Sequence, residues 1–287
     1  MKFSLRDTFA LQQLPTIPRV AEELLNQLKQ PEIDFKQFIN TIQFDPGLAC
    51  ALIHTANETS DKNREISSIE KAILQIGPKR SLNVLEGINL SVQTQKSAWL
   101  PIFQFGWANS VSHAIAADAL KEHGCEKDDS TLFLIGLLSD IGTLILMSTY
   151  PDIYLEKVWP RLCCGQTPED VENSIFQFSH ITVGHEFARR WRLGEVFSSS
   201  ILQHHSETNG NIYTFIAQSA RRTIDIIDQR GGPEVKEKLE NQLSDCLGMT
   251  TDDVEKMIDE VSVRRQAALK ALHLPMPNTH LLAEALR

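Results

Sequence analysis

Several of the strong sequence signatures of activity are missing from this chain. Basic residues are the minority, with 28 Lys and Arg against 37 Asp and Glu for a formal net charge of −9. No basic run interrupts that balance. Binding to a phosphate backbone is therefore excluded as a main activity, because such binding rests on neutralising phosphates. Cysteine is sparse and odd in number: Cys50, Cys125, Cys163, Cys164 and Cys246. No CxxC spacing joins them, so neither a zinc ribbon nor a disulfide framework is expected. The expectation is reduced thiols in a cytoplasmic protein. The adjacent Cys163 and Cys164 read as partly buried packing. The opening MKFSLRDTFALQQLP lacks the apolar run of a signal peptide. A phosphate-cradling glycine loop, a GxSxG elbow and an HExxH pair are all absent. So are repeats at a fixed period, low-complexity runs and alternating runs bounded by hairpin turns.

What is present is a succession of helix signals, from which an all-α fold is expected. Pro18 opens a helix with Val20, Leu24, Leu25 and Leu28 on one face. Asp34 caps a second helix, and Asp45-Pro46 is a cap followed by a first-turn proline. Ser67-Ser68-Ile69-Glu70 fits a capping box, with Gly77 as the following stop. A long helix from about Ile102 to His123 ends at Gly124. Thr167-Pro168-Glu169-Asp170 starts another, and Ser179 to Trp191 and Glu195 to His205 follow. Pro160 is expected to kink or end the helix opened by Pro151.

One long apolar run stands out, Thr131 to Met147, TLFLIGLLSDIGTLILM. At this length it borders on a membrane span, which needs ~20 residues. Its acid, its two glycines Gly136 and Gly142 and its polar flanks favour a single buried central helix, capped by Asp128 or Asp129. Asp140 in its middle resists desolvation and needs a partner: a metal, a His or a local hydrogen bond.

Candidate partners are few. Asn109 and His113 are four apart and share a helix face. Ser139 precedes Asp140, and His180, His185, His204 and His205 lie further on. His and Asp drawn from successive helices can build a metal site in a helical core. Lone histidines are more often structural, and His123 and His185 are read so. His204-His205 closes a helix, where one of the two can cap carbonyls.

In combination these residues resemble the HDOD proteins, the HD-related output domains of bacterial signalling. The resemblance is carried by LPTIP, QFDPGLACALIHTAN (Gln43–Asn57), ISSIEKAILQIG (Ile66–Gly77), FGWANS (Phe105–Ser110), LIGLLSDIG (Leu134–Gly142), HITVGHEFARRW (His180–Trp191) and ILQHH (Ile201–His205). It runs from about Leu14 to His205. It implies an N-terminal helical lobe over 1–97, packed on a degenerate HD-type lobe over 98–209, with a helical extension over 210–287. It also implies loss of the active HD ligands. A His falls at Asn109 in active relatives, His-Asp at Ser139-Asp140, and a later Asp at Gln218. Of these only Asp140 remains, while His180, His204 and His205 correspond to accessory histidines of the HD-GYP phosphodiesterases. No GYP follows His204-His205; the chain reads SETNG.

The expected function is a non-catalytic bacterial regulator that works through other signalling proteins, with no nucleic acid, membrane, metal or cofactor. Its alternative is a metal-dependent phosphohydrolase with the ligands Asp140, His113, His180 and His204, which requires those histidines to converge on one ion.

Overall fold

The computed structural model describes residues 3, 5, 14–30, 32–60, 65–87, 97–125, 129–207 and 210–277. Among them every regular element is helical. The N-terminal part holds α1 (Pro18–Leu28), α2 (Phe35–Ile42), α3 (Pro46–Thr59), α4 (Ile69–Ile76) and α5 (Pro78–Gly87). Local chemistry sets their starts. Asp34 accepts from the Lys36 and Gln37 amides, and Pro18, Pro46 and Pro78 each open a helix. The expected capping box is not formed. Ser68, one residue later than expected, is the cap of α4 and accepts from Lys71 N. Ser67 instead lies 3.2 Å from the Thr131 hydroxyl, and Glu70 accepts from Ser130 Oγ at 2.6 Å. Both side chains are thereby committed to a neighbouring helix. Leu25 turns outward from α1, whereas Val20 and Leu24 are buried.

Asp45 does more than cap α3. Its Oδ1 accepts from Leu48 N at 2.8 Å, and its Oδ2 accepts from Ile17 N at 2.6 Å. The extended LPTIP segment is thus tied to α3, and Trp107 Nε1 donates to Pro15 O beside it. Burial raises the Asp45 carboxyl from 3.8 to about 6, against the lowering effect of the Leu48, Ile17 and Gly47 amides. A raised carboxyl holds its proton more tightly folded than unfolded. Its contribution to stability is therefore full below the unfolded value and is lost as pH rises through about 6. A rise of that size corresponds to ~3 kcal/mol. Asp45→Asn removes the titration. Denaturant titrations should show wild-type stability, relative to this variant, falling by ~2–3 kcal/mol between about pH 4 and pH 7. A difference constant across that window would contradict the assignment.

The remainder begins with α6 (Leu100–Ala119), which continues as a 3-10 turn and stops at left-handed Gly124. Then come α7 (Asp129–Leu138), α8 (Ile141–Thr149), α9 (Pro151–Ile153), a π-helical turn at Tyr154–Val158 and α10 (Trp159–Cys163). The helical path therefore continues through Pro160, which lies in the first turn of α10 after the π-helical turn. The last elements are α11 (Pro168–Phe176), α12 (His180–Arg190), α13 (Glu195–Gln203), α14 (Ile212–Ile227), α15 (Pro233–Leu247) and α16 (Thr251–Ala271). One hydrophobic cluster runs from Ile17 to Leu274.

The expected single central helix is in fact two, α7 and α8, bent by 42° at Ser139-Asp140. The cause is local. Ser139 N and Oγ both donate back to Gly136 O, tightening the last turn of α7. Asp140 then leaves helical geometry at φ −103 and ψ 21. The two glycines mark close helix contacts. A Cβ at Gly136 would lie 2.2 Å from His113 O on α6. One at Gly142 would lie 1.9 Å from His180 O on α12. No single described helix is long and apolar enough to cross a membrane; the bent pair qualifies only when joined. Its leucines and isoleucines are buried by protein. Of the two caps expected for this run, Asp128 lies outside the described residues.

Candidate functional site

The break at Ser139-Asp140 frees Asp140 to face three other helices. Its Oδ1 lies 3.2 Å from His204 Nε2 and 3.6 Å from His180 Nε2. Its Oδ2 lies 3.1 Å from His113 Nδ1. His205 Nε2 lies 3.3 Å from His180 Nε2. Asp140, His180, His204 and His205 each offer a ligand atom, all within 4.8 Å of one another. The convergence required of the histidines thus holds for His180 and His204. The third member of the group is His205, while His113 approaches the other carboxylate oxygen.

Partners behind the cluster orient two of the rings. Glu172, fully buried on α11, accepts from His180 N at 2.8 Å and lies 2.6 Å from His180 Nδ1. Tyr154 donates to the other Glu172 oxygen at 3.3 Å. His204 Nδ1 lies 2.8 Å from Ile201 O, so this ring both caps its helix and faces Asp140. With Nδ1 directed at an acceptor in each case, both rings turn Nε2 into the cluster.

Electrostatics follow from this packing. Burial pushes the Asp140 carboxyl up, but His204 and His113 hold it well below the usual carboxylate range. Burial alone would lower His180; the charge and hydrogen bond of Glu172, then Asp140, raise it to about 9. His204 is lowered by burial despite Asp140, and His205 is lowered by burial and by its two histidine neighbours. Glu172 and Asp140 thus favour the charged form of His180, while burial favours the neutral forms of His204 and His205.

A cavity of about 470 Å³ opens on the cluster. Asn109, His113, Asp140, His180 and His205 line it, together with Arg221, Asp225 and Arg230. Asn109 Oδ1 and both ring nitrogens of His113 are buried without an aligned hydrogen-bond partner among the described residues.

Two of the expected site positions lie elsewhere. The Ser139 hydroxyl is directed at its own helix. Gln218 is buried, but its amide donates to Gln203 O and Ser206 O and it accepts from Gln242. Gln218 thus braces the chain that follows the paired histidines and is outside the cluster. His185 lies apart, against Ser198. Sequence reasoning misses Glu172 and Tyr154. A glutamate eight residues before a histidine carries no motif, and only its burial marks it.

Solved structures with the same architecture are known. A virulence factor from Campylobacter jejuni subsp. jejuni superposes with a TM-score of 0.71 at 17% identity, covering 91% of this chain and 95% of that one. The MmoQ response regulator from Methylococcus capsulatus str. Bath gives 0.69 at 20% identity, covering 86% and 98%. An HDOD domain protein of unknown function from Geobacter sulfurreducens gives 0.50 at 20%, covering 93% and 97%. At such identities the likeness shows the fold alone. No curated protein matches the chain. The HDOD domain family model matches residues 14–207, which is more than half of the sequence, and the chain belongs to the HDOD domain family.

Proposed function

We propose that this chain is a signalling domain that acts by binding other proteins and does not hydrolyse phosphoesters. The observation carrying this reading is the donor set at the motif positions. Hydrolysis at a metal needs an activated water and an offset for phosphoryl charge. Asn109 and Ser139 are neutral, the Ser139 hydroxyl is turned away, and Gln218 is committed elsewhere. Asp140 is the one carboxylate left among those four positions. Membership of the HDOD family and the fold shared with a protein described as a response regulator support a signalling role. In this reading the chain works in the bacterial cytoplasm, where its five cysteines are kept as reduced thiols.

Cross-linking of the tagged full chain in its native cells tests the interaction. The expected product is a discrete protein adduct, retained when Asp140 is replaced by Ala. Adducts lost whenever Asp140 or His205 is changed, with the fold intact, would oppose a binding surface independent of the cluster. A second reading, a metal-dependent phosphohydrolase, is favoured by one observation: three histidines and Asp140 converge. Its ligand set would contain His205 where the sequence suggested His113.

A further inference from the structure

We propose that the segment Glu65–Glu70, held by Asn57 of α3, is a two-ended clasp that couples the N-terminal helices to the cluster of Asp140 and the histidines. One end grips the corner between α12 and α13, and the other grips α7. Displacing the N-terminal helices then moves His204 and His205 against Asp140. This goes beyond a binding-only signalling role, because it concerns what a displacement does to the fold and not what is bound.

The α12–α13 corner is closed by side chains from far away in sequence. The last carbonyls of one helix and the first amides of the next find no partner inside their own helices. His54 Nδ1 lies 2.8 Å from Trp191 O, and Asn57 Nδ2 donates to Arg192 O at 3.0 Å. Gly194, at φ 102, is the cap residue of α13 and brings no side chain to it. Glu65 supplies what the glycine lacks: its Oε2 accepts from Glu195 N at 2.9 Å. A carboxylate also suits the positive end of a helix. Asn57 further donates to Ile66 O at 3.1 Å and accepts from Ile66 N at 2.8 Å. One side chain thus fixes the segment and the corner together.

The other end of the segment sits on α7. Ser67 O accepts from Thr131 Oγ1 at 3.2 Å, and Glu70 accepts from Ser130 Oγ. From there α7 runs to the break that carries Asp140. The clasp therefore joins the carrier of the carboxylate to the carrier of the histidines.

α12 and α13 form an antiparallel hairpin. They meet at the corner, and at the open end the His180 and His204 ring centroids are 5.6 Å apart. The 11 residues of α12 put roughly 16 Å between corner and cluster. Near the open end, Gly142 on α8 seats against His180 O and Gly184 N. That crossing pins α12. A pull at the corner turns the hairpin about it, and the motion reaches the end of α13, where His204 and His205 lie. Their contacts, 3.2 Å to Asp140 and 3.3 Å to His180, are of a length that sub-ångström displacement weakens.

Histidine-ring NMR spectra of the full chain, together with amide exchange at Glu195, test the coupling. Glu65→Ala should accelerate Glu195 exchange ~10-fold, the loss of one hydrogen bond to a charged group, and shift the His204 and His205 ring resonances. Glu65 is exposed, so this variant keeps its core. Glu65→Gln retains an acceptor and should return both readouts most of the way to wild type. Asn57→Asp keeps the oxygen that accepts from Ile66 N but sets a carboxylate against Arg192 O, and it should shift the same two rings. Ile73→Val, a core change in α4 that touches none of these bonds, should lower the melting temperature with the rings unmoved. His204 and His205 resonances unchanged in Glu65→Ala and Asn57→Asp, or shifted as far by Ile73→Val, would overturn the coupling.

Discussion

Replacing Arg265 by Ala should cost about 3–5 kcal/mol of stability. Arg265 is fully buried on α16. Its guanidinium donates to both Asp228 oxygens, at 2.6 and 3.1 Å, and its Nε donates to Ser112 Oγ at 2.8 Å. Truncation leaves the Asp228 carboxylate half-satisfied, with Arg230 as its remaining ion pair at 3.1 Å. It also opens a cavity where a long side chain was packed. The double change Arg265→Met with Asp228→Leu should recover much of the loss, because it removes both charges together. Denaturant unfolding followed by circular dichroism checks both. A loss below ~1 kcal/mol for Arg265→Ala would show that the pair is not buried in solution. The result bears on the site as well as the fold. Ser112 sits on α6, next to His113 and one turn from Asn109, so the extension beyond residue 207 helps to hold the helix that lines the cavity.

Gly142→Ala should be the most damaging small substitution near the cluster. Helix propensity alone predicts a gain of ~1 kcal/mol, since Ala favours helices over Gly. The packing predicts the reverse. A Cβ at Gly142 would meet His180 O at 1.9 Å and Gly184 N at 2.8 Å, both backbone atoms that cannot rotate away. α8 and α12 must separate, at a cost of roughly 3 kcal/mol or more. Separation moves His180 away from Asp140, so the variant should also lose part of the interaction that raises the His180 pKa. Thermal unfolding, and NMR titration of the His180 ring, read the two effects. A stabilised variant with an unchanged His180 would contradict the close helix crossing. Gly136→Ala should act in the same way on α6 and α7, through His113 O.

Helix starts were legible in the sequence because their signals are local. Asp34, Asp45-Pro46 and Thr167-Pro168 each satisfy helix-start amides within three residues of themselves, and the structure places a cap at each. The break at Ser139-Asp140 was not legible. Apolar residues continue on both sides, and nothing in the residue pattern announces that Ser139 turns back on Gly136 O or that Gly136 and Gly142 pack closely on α6 and α12. The box at Ser67 misled for a related reason: both of its polar side chains serve tertiary contacts. Within the site, Asp140, His180, His204 and His205 were marked by residue type and by family resemblance. Gln218 was assigned by position alone, and its hydrogen bonds direct it away from the cluster. Glu172 was invisible because its role depends on complete burial beside a residue eight positions on.

Phosphoester turnover tests most directly the claim that the chain regulates without catalysing. The full chain would be incubated with zinc, manganese or ferrous iron and with an activated phosphodiester, a nucleoside monophosphate and a cyclic dinucleotide, alongside Asp140→Ala. The account predicts that product release by the wild type matches the Asp140→Ala background for every metal and substrate. Metal-dependent turnover by the wild type that disappears in Asp140→Ala would contradict it.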